Sequence, residues 1–309
     1  MISVRGVSKF YGDTMAVDDI SFEVATGEVV GFLGPNGAGK TTTMRMLTGS
    51  VFATSGSISI AGFDTRTQPL EARRSVGFLP EASPLYSEMT TMQFLRFVGR
   101  LRGIPGRSIQ SRVDYVMGLC GLQGREDTQL GKLSKGYKQR VGLAQAIIHD
   151  PMVLILDEPT SGVDPIQISQ TRQLIRELGK DRTVLFSTHI LPEIEAICNR
   201  VIILNDGKIV LEHRIEDPSK TFRTVRTLKI LAKGSIPAIE KALKGIGKES
   251  SVDYHDPYFF VRFPFHEDVQ PDVQKTLSDV GCSISSIEEV QSKLEDIFLT
   301  ITKPTEVKS

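Results

Sequence analysis

The segment from Gly34 to Thr42 limits the fold more strongly than any other stretch of the sequence. It reads GPNGAGKTT, follows the apolar run Val29 to Leu33 and precedes a helix-like segment, Thr42 to Leu47. Glycines allow the backbone to turn tightly with its N–H groups facing inward, and the following helix adds the positive end of its dipole. A strand, this loop and a helix in succession predict a polyphosphate site. A glycine-rich turn that matches by chance is the alternative.

Each residue of this loop is a candidate contact for the phosphates. Lys40 is long enough to reach the β- and γ-phosphates, and the hydroxyl of Thr41 suits Mg²⁺. The backbone N–H groups of the other positions would face the same oxygens. The full candidate set is Gly34, Pro35, Asn36, Gly37, Ala38, Gly39, Lys40, Thr41 and Thr42.

Two acidic residues follow a second apolar run. Val153 to Leu156 are typical of a strand buried on both faces of a parallel sheet, and Asp157 and Glu158 come next. Such sheets bind ligands beyond the carboxyl ends of their strands, so we expect the acidic pair beside the phosphates. Buried carboxylates are costly without partners, which favours a cation or a water between them and the phosphates. Asp157 suits Mg²⁺ coordination, and Glu158 suits polarisation of an attacking water.

Two more segments place polar residues at the ends of elements. His189 follows the strand-like run Thr183 to Phe186. A lone histidine is usually structural, but at the carboxyl end of a strand beside the acidic pair we expect a γ-phosphate contact. Ser134 and Gly136 precede the helical run Val141 to Ile148. They predict either a well-capped helix or an anion site at a helix N-terminus.

Tyr11 lies between two segments, 2–10 and 20–24, that alternate apolar and polar side chains as antiparallel strands do. Its ring stands just before Gly12, where it either stacks on a purine base or covers the edge of a sheet. The phosphate loop further along the chain favours stacking.

The composition is that of a globular protein, with 40% hydrophobic and 24% charged residues. The 309 residues are about twice the ~150 expected of one domain, which predicts two domains. The 37 basic and 37 acidic residues cancel, so no net field points to nucleic acid. The N-terminus has no signal-like apolar region, and no run approaches the ~18 apolar residues of a membrane span. We therefore expect a cytoplasmic protein.

The remaining patterns predict a helical insertion and a second domain. Apolar residues at helical spacing mark 84–120, and we place a helical subdomain at about 84–150 within an α/β domain of residues 1–215. After a polar linker, 216–226, the segment 227–303 predicts a small α+β, ferredoxin-like domain of order βαββαβα, with its last helix near 293–301. That domain contains no catalytic pattern; we expect dimer contact or regulation, with small-ligand sensing as the alternative.

Together these segments resemble the nucleotide-binding subunit of ATP-binding cassette (ABC) transporters, in the order that the family shows. The similar segments are 34–42 (Walker A), 133–137 (signature), 153–158 (Walker B), 161–164 (D-loop), His189 (switch histidine) and Tyr11 (adenine-stacking aromatic). The resemblance implies a P-loop ABC ATPase domain that binds ATP and Mg²⁺. It also implies hydrolysis by in-line attack of water, with Glu158 as the base.

Partners follow from the resemblance as well. It implies a head-to-tail homodimer, in which Ser134 and Gly136 of one copy close on the γ-phosphate held by Lys40 of the other. It implies a separate transmembrane permease, with this chain peripheral on the inner face of the cell membrane. The alternative is a soluble ABC ATPase that acts as a switch on the ribosome or DNA. Such proteins usually carry two cassettes or a long inserted coiled coil, and no sustained heptads are present here.

Two positions depart from the commonest family pattern. The signature reads LSKGY instead of LSGGQ, so Lys135 adds a cation near the nucleotide. Glu81 stands at the Q-loop position, where glutamine is usual; its carboxylate could accept from the catalytic water or face Mg²⁺. Both variants are similar to the ABC-2 exporter branch, including gliding-motility and nitrous-oxide-reductase-maturation ATPases. That branch implies docking of 84–120 on the permease.

Overall fold

A computed structural model describes residues 1–215, 225–244, 246, 251–264 and 270–291 of the chain. The chain divides into two compact units, Met1–Ile215 and Glu216–Ser309. Most of the predicted linker, 216–226, lies outside the described residues, and so does the predicted last helix at 293–301.

The first unit contains both strands and helices throughout its length. Its strands are β1 (Ile2–Tyr11), β2 (Thr14–Val24), β3 (Val29–Leu33), β4 (Ser55–Ile60), β5 (Phe63–Asp64), β6 (Val76–Leu79), β7 (Val153–Asp157), β8 (Thr183–Thr188), β9 (Arg200–Asn205) and β10 (Lys208–Arg214). Its helices are α1 (Lys40–Leu47), α2 (Pro69–Arg74), α3 (Thr91–Leu101), α4 (Gly106–Leu119), α5 (Lys135–Ile147), α6 (Pro165–Gly179) and α7 (Leu191–Ile197), with a 3₁₀ turn at Leu130–Lys132.

Within the described part of this unit, the central sheet has the order β10-β9-β3-β8-β7-β6. The strands from β9 to β6 run parallel, and β10 pairs antiparallel with β9. Every residue of β3, β7 and β8 is buried, which explains their continuous apolar sequences. Leu33 pairs with Thr188, and Asp157 pairs with Ser187, so the carboxyl ends of these strands lie side by side. The predicted α/β class is confirmed.

A second, antiparallel sheet covers one face of the central sheet. Its order is β2-β1-β4-β5 among the residues described. The two early strands pair as predicted, although β2 already begins at Thr14. Ile2 and Val4 of β1 are buried at alternate positions, Val7 is buried after a register shift, and all three share one core with β3. The rings of Phe22 in β2 and Phe32 in β3 are 5.0 Å apart, centroid to centroid. The two sheets therefore pack directly on each other.

The predicted helical insertion at 84–120 folds as α3 and α4. Helix α3 begins with a capping box, in which Thr90 accepts from the Gln93 backbone N–H and the Gln93 side chain accepts from the Thr90 N–H. Leu95 of α3 and Val113 of α4 are buried members of the apolar stripes that predicted these helices. Helix α5 then returns the chain to the central sheet and packs against β6.

The second unit has the order βαββαβ over its described residues. Its elements are β11 (Val225–Lys233), α8 (Ile236–Leu243), β12 (Ser251–His255), β13 (Tyr258–Pro264), α9 (Gln270–Asp279) and β14 (Ser283–Gln291). The sheet order among these is β12-β13-β11-β14, and every pairing is antiparallel. Leu228 and Phe259 of the sheet, Ile239 of α8 and Leu277 of α9 share one apolar core. This element order is that of a ferredoxin-like sandwich.

His149 links the end of α5 to the central sheet and is held neutral. Its Nε2 lies 3.0 Å from the Val76 carbonyl oxygen, so this nitrogen carries the proton and donates. Burial, then the nearby Arg102, lowers the pKa of His149 from 6.5 to about 4, while Asp150 acts in the opposite direction. Below pH ~6.5, His149 binds a proton in the unfolded chain but stays neutral in the folded chain. The free energy of unfolding therefore decreases as the pH falls from about 6.5 towards 4.

We predict that His149→Gln reduces the acid sensitivity of this fold. The glutamine amide can still donate to the Val76 carbonyl but does not titrate. The melting temperature of the variant should fall less between pH 7 and pH 5 than that of the wild type, measured by thermal unfolding in matched buffers. Equal losses in the two proteins would contradict the role given to the histidine.

Candidate nucleotide-binding site

The loop between β3 and α1 has a backbone that only glycine allows at several points. Gly37 and Gly39 have φ angles of +86° and +98°. A Cβ at Gly34 would lie 2.4 Å from the Leu204 carbonyl oxygen, so a side chain has no room there. Gly39 is the N-cap of α1 and offers no side chain to its first N–H groups. Those donors are available to an anion.

Lys40 is the buried cation of the loop, with 5% of its surface exposed. Its Nζ donates to the carbonyl oxygens of Gly34 (2.8 Å) and Pro35 (3.1 Å). The same Nζ lies 3.6 Å from Oε1 of Glu158, whose side chain is 9% exposed. A buried charge needs such partners. In this conformation the lysine and the glutamate neutralise each other.

Asp157 and Ser187 connect the ends of β7 and β8. Asp157 Oδ1 accepts from the hydroxyls of Thr41 (3.2 Å) and Ser187 (2.6 Å). The Ser187 hydroxyl oxygen also accepts from the Glu158 backbone N–H at 2.9 Å. Glu158 has a φ of +48°, a left-handed conformation that is costly for a residue with a side chain. The serine therefore stabilises a strained backbone at the acidic pair.

Glu158 is also within reach of the predicted histidine. Its Oε2 lies 2.9 Å from Nδ1 of His189, whose side chain is 47% exposed. The glutamate is buried on one side against Lys40 and faces the histidine and the opening on the other. A carboxylate in this place can accept a proton from a water at the mouth of the site.

Most of the predicted residues meet around one cavity of about 360 Å³. It is lined by Ala16, Asn36, Gly37, Gly39, Lys40, Thr41, Thr42, Glu81, Glu158, Ser161 and His189. Gly34 and Pro35 contribute through their carbonyl oxygens to Lys40, and Ala38 is buried behind the loop. The sequence analysis did not single out Ala16 or Ser161 as site residues. Ser161 lay in the recognised 161–164 turn, whereas no sequence signal marked Ala16.

Tyr11, Ser134 and Gly136 also do not line this cavity in a single copy. The Tyr11 ring is 46% exposed and lies 5.1 Å from the Lys9 ammonium. Ser134 is the N-cap of α5 and accepts from the Tyr137 N–H at 3.4 Å. Gly136 is packed so closely that a Cβ there would lie 1.3 Å from Gln167 Oε1. Their contacts with nucleotide remain predictions.

Oxygen atoms dominate the possible metal ligands. Thr41 and Asp157 place a hydroxyl and a carboxylate 3.2 Å apart, and Glu81 lines the same cavity. Among the described residues, no group of three or more His, Cys, Asp or Glu side chains could hold a metal ion. An ion that draws only one or two ligands from protein and the rest from water and phosphate fits this set, and Mg²⁺ behaves in that way.

A glycine-rich loop at a helix N-terminus, with a buried lysine, and with an acidic pair and a histidine beside it, is the arrangement of a P-loop ATPase. A family model described as "ABC transporter" matches residues 17–161. An uncharacterized ABC transporter ATP-binding protein, YxlF of Bacillus subtilis, is 37% identical over 97% of this chain and 99% of its own length. The chain therefore belongs to the ABC transporter family, and it is an ATPase subunit.

Two further comparisons agree with this assignment. The bacitracin transport ATP-binding protein BcrA of Bacillus licheniformis is 34% identical over 97% of both chains. The solved dimeric structure of the ATP-binding cassette MJ0796, in a post-hydrolysis state with ADP and Pi, matches with a TM-score of 0.65. It covers 70% of this chain and 100% of that chain, at 23% identity, which supports the fold. No helix within the described ranges is long and apolar enough to cross a membrane.

We predict that Ser187→Ala destabilises the protein by about 1–3 kcal/mol, because the buried Glu158 N–H loses its acceptor. Turnover should fall as well, because the left-handed backbone of Glu158 is then less well held. Denaturant unfolding and steady-state ATP hydrolysis measure the two effects. Ser111→Ala is the control: its hydroxyl is exposed and bonds only the Ser108 carbonyl. Equal results for the two variants would remove Ser187 from this role.

Proposed function

We propose that this chain drives export through a separate membrane-spanning partner, by binding and hydrolysing Mg·ATP between two copies of itself. One observation carries the proposal. Lys40, Glu158 and His189 line a single cavity, whereas Ser134 and Gly136 are outside it. The half of the site that holds the phosphates is therefore built within one copy, and the signature segment is free to serve another.

The predicted metal ligands agree with the chemistry of Mg²⁺. Thr41 and Asp157 would hold the ion, and Glu81 would contact it directly or through water. The ion would supply charge neutralisation for the transferred phosphoryl group. In the structure, the Thr41 hydroxyl and the Asp157 carboxylate already face each other, so little side-chain rearrangement is needed.

Hydrolysis is proposed to depend on the release of Glu158 from Lys40. Lys40 Nζ lies 3.6 Å from Glu158 Oε1. Phosphate oxygens compete for the lysine because they offer more negative charge than the loop carbonyls do. Glu158 then keeps His189 as its near neighbour and can accept a proton from the attacking water. Lys40, the α1 N-terminus and the partner copy's signature helix stabilise the charge that develops.

A head-to-tail homodimer completes the site in this proposal. Ser134 and Lys135 at the start of α5 are exposed, and so is their side of the helix N-terminus. A second copy could bring its own Ser134 and Gly136 to the γ-phosphate. The MJ0796 cassette with ADP and Pi is itself dimeric.

The partner is proposed to be an ABC-2-type permease, a separate chain on which the 84–120 insertion docks. BcrA, similar over nearly the whole length, is a bacitracin transport protein. This chain would then be cytoplasmic and peripheral on the inner face of the cell membrane. Residues 1–215 would form the ATPase domain, and the ferredoxin-like domain at 227–303 would contribute dimer contacts or regulation. No nucleic acid is required.

The decisive variant is Glu158→Gln, which keeps the shape of the side chain but removes the base. We predict a loss in turnover on the order of 10²–10⁴ with ATP still bound. In the presence of ATP the variant should accumulate as a dimer in light scattering. Glu23→Gln, at an exposed β2 position, is the control and should behave as wild type. Undiminished turnover would remove Glu158 as base, and an ATP-loaded monomer would remove the dimer.

The partner is tested by isolating the tagged native complex with and without detergent. We predict that an integral membrane protein copurifies in detergent at a fixed ratio to this chain. ATP turnover of the complex should then respond to the membrane partner. Recovery of ribosomes or DNA in its place would support the switch function that the sequence left as the alternative.

A further inference from the structure

Glu193, in the first turn of α7, is a carboxylate with 0% of its surface exposed. Acidic side chains are rarely buried so completely, because burial removes the hydration of an ionised carboxylate. Hydrogen bonds or an opposite charge must offset the lost hydration free energy. None of the roles described above uses this residue. Its contacts show what the burial accomplishes.

Both carboxylate oxygens of Glu193 accept short hydrogen bonds from buried threonines. Oε1 accepts from the Thr160 hydroxyl at 2.5 Å, and Oε2 accepts from the Thr188 hydroxyl at 2.7 Å. The Thr188 hydroxyl oxygen in turn accepts from the Ile190 backbone N–H at 3.0 Å. Hydrogen bonds to an ionised acceptor are about twice as strong as neutral ones. The carboxylate is thus fixed from two directions.

The two threonines belong to the segments that carry the catalytic pair. Thr160 is two residues after Glu158, and Thr188 is one residue before His189. Strands β7 and β8 pair only as far as Asp157 and Ser187. Beyond that pair, no β7–β8 backbone pairing sets the distance between the two segments. Glu193 bridges them through Thr160 and Thr188 just past this last pair.

Arg172 of α6 supplies the opposite charge. Its Nη2 lies 3.8 Å from Glu193 Oε1, close enough for an ion pair, and its side chain is 27% exposed. Its Nε is buried without a hydrogen-bond partner among the described residues. The partly exposed guanidinium therefore places a positive charge beside the buried carboxylate. Helix α6 begins directly after the 161–164 turn, so the pair also connects that turn to the bridge.

We propose that Glu193 is a positioning residue for ATP hydrolysis, which holds Glu158 and His189 at their working separation through Thr160 and Thr188. The residue does not touch the cavity, so it acts through the two segments. The inference rests on the function proposed for the catalytic pair. Misplacement of a catalytic group by about 1 Å can lower the rate about 10²-fold. Loss of this bridge should therefore reduce the rate of the chemical step and leave the affinity for nucleotide unchanged.

The test compares Glu193→Gln with Glu195→Gln, the same substitution at an exposed position of the same helix. Glu193→Gln is expected to lower kcat by about 10- to 100-fold, with the Kd for ATP changed less than about threefold. Glu195→Gln should leave both unchanged. A kcat that is equal in the two variants, or a loss matched by an equal loss of ATP affinity, would overturn the proposal.

A double-mutant cycle separates positioning from general damage to the fold. In the Glu158→Gln background there is no base to position, so Glu193→Gln should lower the residual rate less than about twofold further. A further 10-fold loss of the residual rate in that background would contradict the positioning role of Glu193. The proposed function fails separately, if Glu158→Gln by itself leaves turnover intact.

A second pair of variants avoids dependence on the folding of Glu193→Gln. Thr188→Val keeps the shape of the side chain but removes the hydroxyl, and Thr188→Ser keeps the hydroxyl. The same fall in kcat at constant ATP affinity is expected for valine, with recovery for serine. Equal rates in these two variants would contradict the bridge.

Discussion

Asp157 and Glu158 lie at the carboxyl end of a strand whose every residue is buried, and this location requires partners for both carboxylates. The surrounding residues meet that requirement. Ser187 and Thr41 donate to the aspartate, while Lys40 and His189 flank the glutamate. The placement of strands β3, β7 and β8 side by side brings these partners together. Burial of negative charge in a parallel sheet is therefore the constraint from which the site geometry follows.

In the proposed mechanism, the Lys40–Glu158 ion pair engages the catalytic glutamate until a polyphosphate competes for the lysine. In this ion pair the Lys40 ammonium lies 3.6 Å from Oε1 of the glutamate. A polyphosphate that binds the lysine is the substrate, and it also releases Glu158 from the ion pair so that hydrolysis can follow. In the proposed mechanism, binding and catalysis are therefore linked through the Lys40 side chain. The link explains why the lysine is buried and bonded to the loop carbonyls instead of pointing into water.

The sequence predicted the parts of the fold that depend on local pattern. Continuous apolar runs predicted β3, β7 and β8. The glycines before Lys40 predicted the loop, and Gly37 and Gly39 have positive φ angles there. Contacts between distant segments could not be read in the same way. Ser187 and Glu193 look like ordinary polar residues until the fold places them between β7 and β8. The short helix α7 was not predicted from the sequence. Without that helix, nothing in the sequence placed Glu193 near the catalytic pair.

Helix α6 contacts both Glu193, which lies behind the catalytic pair, and the signature segment of its own chain. Arg172 reaches Glu193 behind the pair, and Gln167, further towards the start of the helix, fills the place of a side chain at Gly136. At the turn before α6, a Cβ at Gly162 would lie 2.1 Å from Lys135 Nζ. The ammonium of Lys135, the unusual residue of this signature segment, therefore packs against that glycine. In the proposed dimer, the signature serves the partner's nucleotide. In that arrangement, α6 lies between Glu193 at one nucleotide site and the signature segment that serves the other.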